Sequence, residues 1–170
     1  MKKVWLTIAL FCVCFSMFSQ ETEKIKSEAK NEIKVNLLMT LFSFPDISYE
    51  RILGNSFGFG LSAGIPIEND FDTKYRILPY SRFYFGESLI KSFFIEANIG
   101  IEGYKKYSYS WSENYSHSET KNALDLGIGV AVGYKYVNSK DFIGELFLGV
   151  GRTSNDRAYP RVGISIGKQF

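Results

Sequence analysis

The fold class predicted here is all-β: an eight-stranded antiparallel up-and-down transmembrane β-barrel. Three observations predict it. Apolar and polar residues alternate through most of the chain, a secretory leader opens it, and an aromatic residue, Phe170, closes it. The alternation is clearest from Leu124 to Tyr136. Leu124, Leu126, Ile128, Val130, Val132, Tyr134 and Tyr136 alternate with Asp125, Gly127, Gly129, Ala131, Gly133 and Lys135. A period of two is the mark of extended strand. A wall with one greasy face, and another of glycine, small polar groups and charges, suits a barrel that crosses an outer membrane.

Residues 1–19 read as the signal peptide. Lys2 and Lys3 supply the positive start, and Val4 to Val13 is an apolar run too short for a spanning helix. Cleavage is expected after Ser19. Cys12 and Cys14 both fall in the leader, so the mature chain has no thiol for a disulfide, a metal site or a nucleophile. A lipid-anchored cysteine is disfavoured, because Phe11 and Val13 precede the two cysteines where processing prefers small residues. Of 20 basic residues, the loss of Lys2 and Lys3 leaves 18, which match the 18 acidic ones. A net charge of zero argues against a nucleic-acid partner. Residues 20–31 are charged and aperiodic, a flexible lead-in, and the barrel is expected over 32–170.

The strands follow in order. The first is expected from Ile33 to Leu41, with Ile33, Val35, Leu37, Met39 and Leu41 outward. The second, Pro45 to Ile52, turns Asp46, Ser48 and Glu50 inward and ends at the turn residues Leu53-Gly54-Asn55-Ser56. The third, Phe57 to Ile65, sets Phe57, Phe59 and Leu61 against Gly58, Gly60 and Ser62. The fourth, Lys74 to Phe85, turns Arg76, Tyr80, Arg82 and Tyr84 inward, and Pro79 predicts a local break. The fifth runs from Ser92 to Tyr104, the sixth from Leu124 to Tyr136, the seventh from Phe142 to Arg152 and the eighth from Tyr159 to Phe170. Such strands, tilted, match the hydrocarbon thickness. Phe83, Phe85, Phe93, Tyr134, Tyr136 and Phe142 gather near turns, as an interfacial belt does. The connections at 42–44, 66–73, 105–121 and 153–158 are expected outside.

Charges in a narrow lumen are costly unless paired, so hairpin register can be tested by whether it pairs them. Setting Phe85 opposite Phe93 puts Arg82 opposite Glu96, Arg76 opposite Glu102 and Tyr80 opposite Asn98. A three-residue turn at Ser139–Asp141 puts Lys135 opposite Glu145, and one at Gly54–Ser56 puts Glu50 opposite Gly60 and Ser48 opposite Ser62. A one-residue slip would turn a strand inside out. Lys34, Asp46, Asp125 and Arg161 also face inward, without an assignable partner. The expected lumen network is therefore Arg76, Glu102, Arg82, Glu96, Lys135, Glu145, Glu50, Asp125 and Arg161. Its role is structural, since an eight-stranded barrel is just wide enough for side chains to fill it.

Enzyme-like features are weak. His117 lies in Tyr115-Ser116-His117-Ser118-Glu119, where neighbours on an extended loop point apart and do not form a relay. No His or Cys cluster suits a transition metal. Glu68-Asn69-Asp70 with Asp72 reads as a solvated loop rather than a divalent-cation site. Gly127-Ile128-Gly129 and Gly149-Val150-Gly151 lack the helix and lysine of a phosphate loop. No cofactor and no catalytic residue are expected. Tyr107, Tyr109, Trp111 and Tyr115 are the candidates for contact with an outside partner, because they offer amphipathic area.

Through Pro45-Asp46-Ile47-Ser48-Tyr49-Glu50-Arg51, Arg82-Phe83-Tyr84-Phe85 and Phe170, residues 32–170 resemble the small outer-membrane β-barrel proteins of Gram-negative bacteria, in the OmpA/OmpX size class. They look closer still to a group of secreted barrels known as a domain of unknown function. The resemblance implies insertion in the cell outer membrane, contact with its lipids, and recognition of the C-terminal strand and Phe170 by the barrel-assembly machinery. It implies no catalytic residues. The expected role is a monomeric barrel with a filled lumen, structural or surface-interacting through its outer loops. The alternatives are a secreted or periplasmic lipocalin-like carrier of a hydrophobic ligand and a narrow gated pore.

Overall fold

The computed structural model describes residues 31–170 except 55, 69–71, 86–89 and 113–114, and over 106–121 it describes the backbone alone. The expected leader, the two cysteines and most of the lead-in lie outside the described residues. Eight strands form a closed barrel: β1 (Asn31–Asn36), β2 (Asp46–Leu53), β3 (Phe57–Gly64), β4 (Thr73–Phe85), β5 (Lys91–Ser112), β6 (Tyr115–Val137), β7 (Phe142–Thr153) and β8 (Ala158–Gln169). Each pairs antiparallel with the next, and β8 returns to β1. The short turns at 54–56 and 138–141, the 86–90 connection and the C-terminus share one end, here the turn rim. The longer connections share the other, the loop rim.

The alternation sorts the two faces. Leu126, Ile128 and Val130 point outward and are 54%, 75% and 60% exposed, whereas Glu50 and Lys135 inside are 0% exposed. A ligand carrier with an apolar interior requires the reverse arrangement. At the turn rim the outward aromatics touch edge to face, with Phe57–Phe83 centroids 5.0 Å apart and Phe83–Phe85 4.8 Å. Phe93 and Tyr134 lie 4.9 Å apart on the neighbouring strands.

Several boundaries differ from expectation. The first strand stops at Asn36, and Leu37–Leu41 form a short helix, α1. The run Leu37-Leu38-Met39 breaks the alternation, and the Asn36 side chain caps the helix by accepting from the Met39 N–H at 3.2 Å. The barrel begins at Asn31, whose N–H donates to the Phe170 carbonyl at 3.1 Å while the Phe170 N–H donates back at 2.8 Å. The expected outer loop 105–121 is strand: β5 and β6 stay paired out to Ser112↔Tyr115. Tyr and Trp are good strand formers, and here they alternate with Ser without any aliphatic residue. At Pro79 the β4–β5 ladder lapses but resumes in the same register at Tyr80↔Asn98, and the irregularity lies at Thr73/Tyr75.

The lumen is filled with aromatic rings laid on glycines. The Tyr159 ring rests on Gly100, Gly127 and Gly151, the Phe147 ring on Gly163, the Phe94 ring on Gly133 and the Tyr80 ring on Gly60. In each case a Cβ on the glycine would fall within contact distance of the ring. These inward glycines are thus spaces for rings that arrive from other strands.

Candidate functional site: the charged lumen

Among the described residues, every charged lumen side chain except Arg157 is placed by strand parity. The β4–β5 register sets Arg82 against Glu96 and Arg76 against Glu102, and the side chains meet: Arg82 Nε–Glu96 at 2.9 Å and Arg76 Nε–Glu102 at 2.5 Å. Lys135 is opposite Glu145 in the β6–β7 ladder, yet its ammonium reaches Glu32 at 2.8 Å. Glu145 instead takes Lys34 at 2.8 Å and Arg82 at 3.0 Å. Glu50 lies opposite Gly60 and Ser48 opposite Ser62. The space over Gly60 lets Tyr80 approach Glu50, to which its hydroxyl donates at 3.2 Å.

The four side chains without an assigned partner find theirs across the lumen. Lys34 contacts Glu32, Glu50 and Glu145 at 3.1, 2.5 and 2.8 Å. Arg161 donates to Glu96 at 2.7 Å and lies 3.7 Å from Asp46, which accepts from the Ser62 hydroxyl at 2.5 Å. Near the loop rim, Asp125 accepts from the Ser154 hydroxyl at 2.6 Å and faces Arg157 at 3.6 Å.

The centre is electrically balanced. Glu32, Glu50, Glu96 and Glu145 stand against Lys34, Arg82, Lys135 and Arg161, all buried. The cations are also stacked on rings: the Arg82 guanidinium is 4.1 Å from the Phe94 centroid and the Lys135 ammonium 4.0 Å from that of Tyr84. Removing such charges from water is costly, and the arrangement holds because each charge has several close partners.

Sequence reasoning missed several members. Glu32 was assigned to the barrel but to no strand, although the parity of Lys34 and Asn36 extends back to it. The Tyr84 hydroxyl donates to Glu50 at 2.5 Å, and the Gln169 amide donates to Glu32 at 2.8 Å. Arg157 comes from a connection, where no periodicity marks it. The side chains of Tyr107, Tyr109, Trp111, Tyr115 and His117 lie outside the described residues, as do Asn69 and Asp70. Glu68 accepts from the Ser43 hydroxyl at 2.9 Å.

Oxygens of Glu32, Glu50 and Glu145 lie within 4.8 Å of one another, a spacing that could hold a metal ion. The Lys34 ammonium bonds to all three and takes the place such an ion would need. Chemically, the site binds charge to charge. Among the described side chains, each central carboxylate is engaged by a cation rather than left to act as a base.

The model of a family described as protein of unknown function (DUF3575) matches residues 6–165. No curated protein matches significantly. The fold is shared with solved structures, among them two bacterial proteins. The N-terminal β-barrel domain of Pseudomonas aeruginosa OprF aligns with a TM-score of 0.59 at 15% identity, covering 84% of this chain and 98% of that one. Neisserial surface protein A aligns with a TM-score of 0.50 at 11% identity, covering 84% and 96%.

Proposed function

The chain belongs to the DUF3575 family, and from its geometry we propose that it is an outer-membrane protein with a solid, ion-paired lumen. Its contacts with other molecules run through the loop rim, above all the projecting β5–β6 hairpin. The observation that carries this reading is the inside-out distribution of side chains. Apolar residues cover the outer wall, while eight mutually paired charges sit inside. On β5 the outward apolar stretch is Phe93–Ile101. At about 3.3 Å per residue and a tilt of about 40°, it covers roughly 20–25 Å, close to the apolar belt of outer-membrane barrels. By the same rule, the turn rim and the C-terminus face the periplasm and the loop rim faces outward.

A filled lumen supports a structural or surface-interaction role rather than conduction, and a site without a poised nucleophile supports a non-enzymatic one. Proposed partners are outer-membrane lipids, the barrel-assembly machinery through β8 and Phe170, and an outside molecule at the hairpin. Membrane fractionation and planar-bilayer recording test the reading together. The mature protein should co-fractionate with the outer membrane, need detergent to stay folded, and give no steady conductance. A monomer folded in plain buffer would overturn the membrane assignment, and a steady single-channel current would overturn the plugged lumen.

A further inference from the structure

A barrel wall is convex and ordinarily offers no concavity to its surroundings. Here one is built: an apolar groove of about 790 Å³ crosses the outer face, within the range of about 300–1,000 Å³ usual for small-molecule sites. Leu38, on α1, closes one end, and Phe85 and Phe93 close the other. Tyr134, Leu146 and Ile164 line the stretch between, across β6, β7 and β8. These residues form one register row, Phe85↔Phe93↔Tyr134↔Leu146↔Ile164.

The turn rim beside the groove is charged. Lys91 lies two residues beyond Phe93 on the same outward face, and its ammonium is held 5.6 Å from the Tyr136 centroid. Lys168 lies four residues beyond Ile164 on β8, past Ile166, and 5.6 Å from the Phe142 centroid. Lys140, exposed in the β6–β7 turn, stands between them. Asp141 is the one acidic side chain among the described residues of this edge.

We propose that this groove seats the acyl chains of an anionic phospholipid from the membrane, with its phosphate drawn to the turn rim by the combined charge of Lys91, Lys140 and Lys168. The inference rests on the outer-membrane reading. Apolar side chains bind chains of any lipid, so the lysines carry the selectivity. Each lysine at an anionic surface is worth about fivefold.

The test is native mass spectrometry of the full mature protein, extracted from bilayers of phosphatidylglycerol and phosphatidylcholine. Wild type should retain phosphatidylglycerol over phosphatidylcholine by about fivefold or more. Combined Lys91→Gln, Lys140→Gln and Lys168→Gln should abolish that preference while leaving total retention. Leu146→Trp, which fills the groove, should reduce retention of both lipids. Equal retention by wild type, an unchanged preference in the triple variant, or a dimer that covers the groove would overturn the inference. If the protein inserts in both bilayers yet shows no preference, this inference fails alone. If it does not insert, the membrane reading fails first.

Discussion

The β5–β6 junction and the β1–β8 junction belong to the same barrel and are closed by different means. β5 and β6 stay paired from Lys91↔Tyr136 to Ser112↔Tyr115, so a long main-chain ladder holds them. β1 and β8 pair only from Glu32↔Gln169 to Asn36↔Ser165, with one further reciprocal bond pair at Asn31 and Phe170. Beyond that point no strand pairs with β8 on this side, and Leu38 of α1 lines the same groove as Val162 and Ile164. In lipid an unpaired backbone group must be satisfied within the protein. Side chains do this: the Asn36 amide donates to the Val162 carbonyl at 3.0 Å, and Arg76 reaches across the lumen to the Pro160 carbonyl at 3.4 Å. Proline at 160 has no N–H to place. The lumen charges compensate as well, since Glu32 and Lys34 of the short strand bind partners on β2, β6, β7 and β8. Where the ladder is short, closure passes to ions and amides.

The most severe way to break this comparison is Lys34→Met. It leaves Glu32, Glu50 and Glu145 within 4.8 Å of one another without their shared cation. Removing one partner from a buried ionic cluster costs about 3–5 kcal/mol. The denaturant midpoint in detergent micelles should fall accordingly, and hydrogen exchange should accelerate first in β1 and β8 while β5–β6 stays protected. Adding Glu50→Gln should return part of the loss, because the two sites couple. Equal loss of protection around the whole barrel would show that the seam has no special dependence on ions.

The parts of this arrangement differ in how legible they are in sequence, and the reason is distance along the chain. Arg82–Glu96 and Arg76–Glu102 follow from one hairpin, because a period of two and a turn length fix which side chains oppose. Lys34–Glu145 and Arg161–Glu96 join residues 111 and 65 positions apart. They meet only because closure and tilt bring β1 and β8 over the far wall, which no local pattern encodes. Helix α1 resembles strand in sequence because Ile33, Val35, Leu37, Met39 and Leu41 alternate correctly. Leu38 in an even position and the cap at Asn36 are the signals against it. The 105–121 hairpin resembles loop because its period-two pattern carries Tyr and Ser instead of aliphatics. The outer groove leaves no mark in sequence, since it needs α1 and five separate strands.

A milder perturbation sharpens the role of the seam. Asn36→Ala removes the helix cap and the donor to Val162, each worth about 1 kcal/mol. A destabilisation of about 2 kcal/mol is expected, with early exchange at the Met39 amide. A change no larger than about 0.5 kcal/mol, the scale of an ordinary surface substitution, would mean that α1 and the Val162 carbonyl are held by something other than this side chain.

The smallest effect comes from comparing two prolines. Pro160→Ala and Pro79→Ala each give the unfolded chain the same extra freedom, so the difference between them cancels that entropy. At 160 the new N–H points to the β1 side, where β8 has no strand partner, and the row Val130↔Val150↔Pro160 lies in the apolar belt. At 79 the new N–H points to β5, where the ladder lapses between Ile77↔Ile101 and Tyr80↔Asn98 and a carbonyl partner is in register. One substitution creates an orphan donor and the other completes a ladder. Pro160→Ala should therefore be the less stable by about 1 kcal/mol, read as a difference in denaturant midpoint. Equal midpoints would mean that α1 can shift to pair with β8, and that the two junctions are less distinct than their ladders imply.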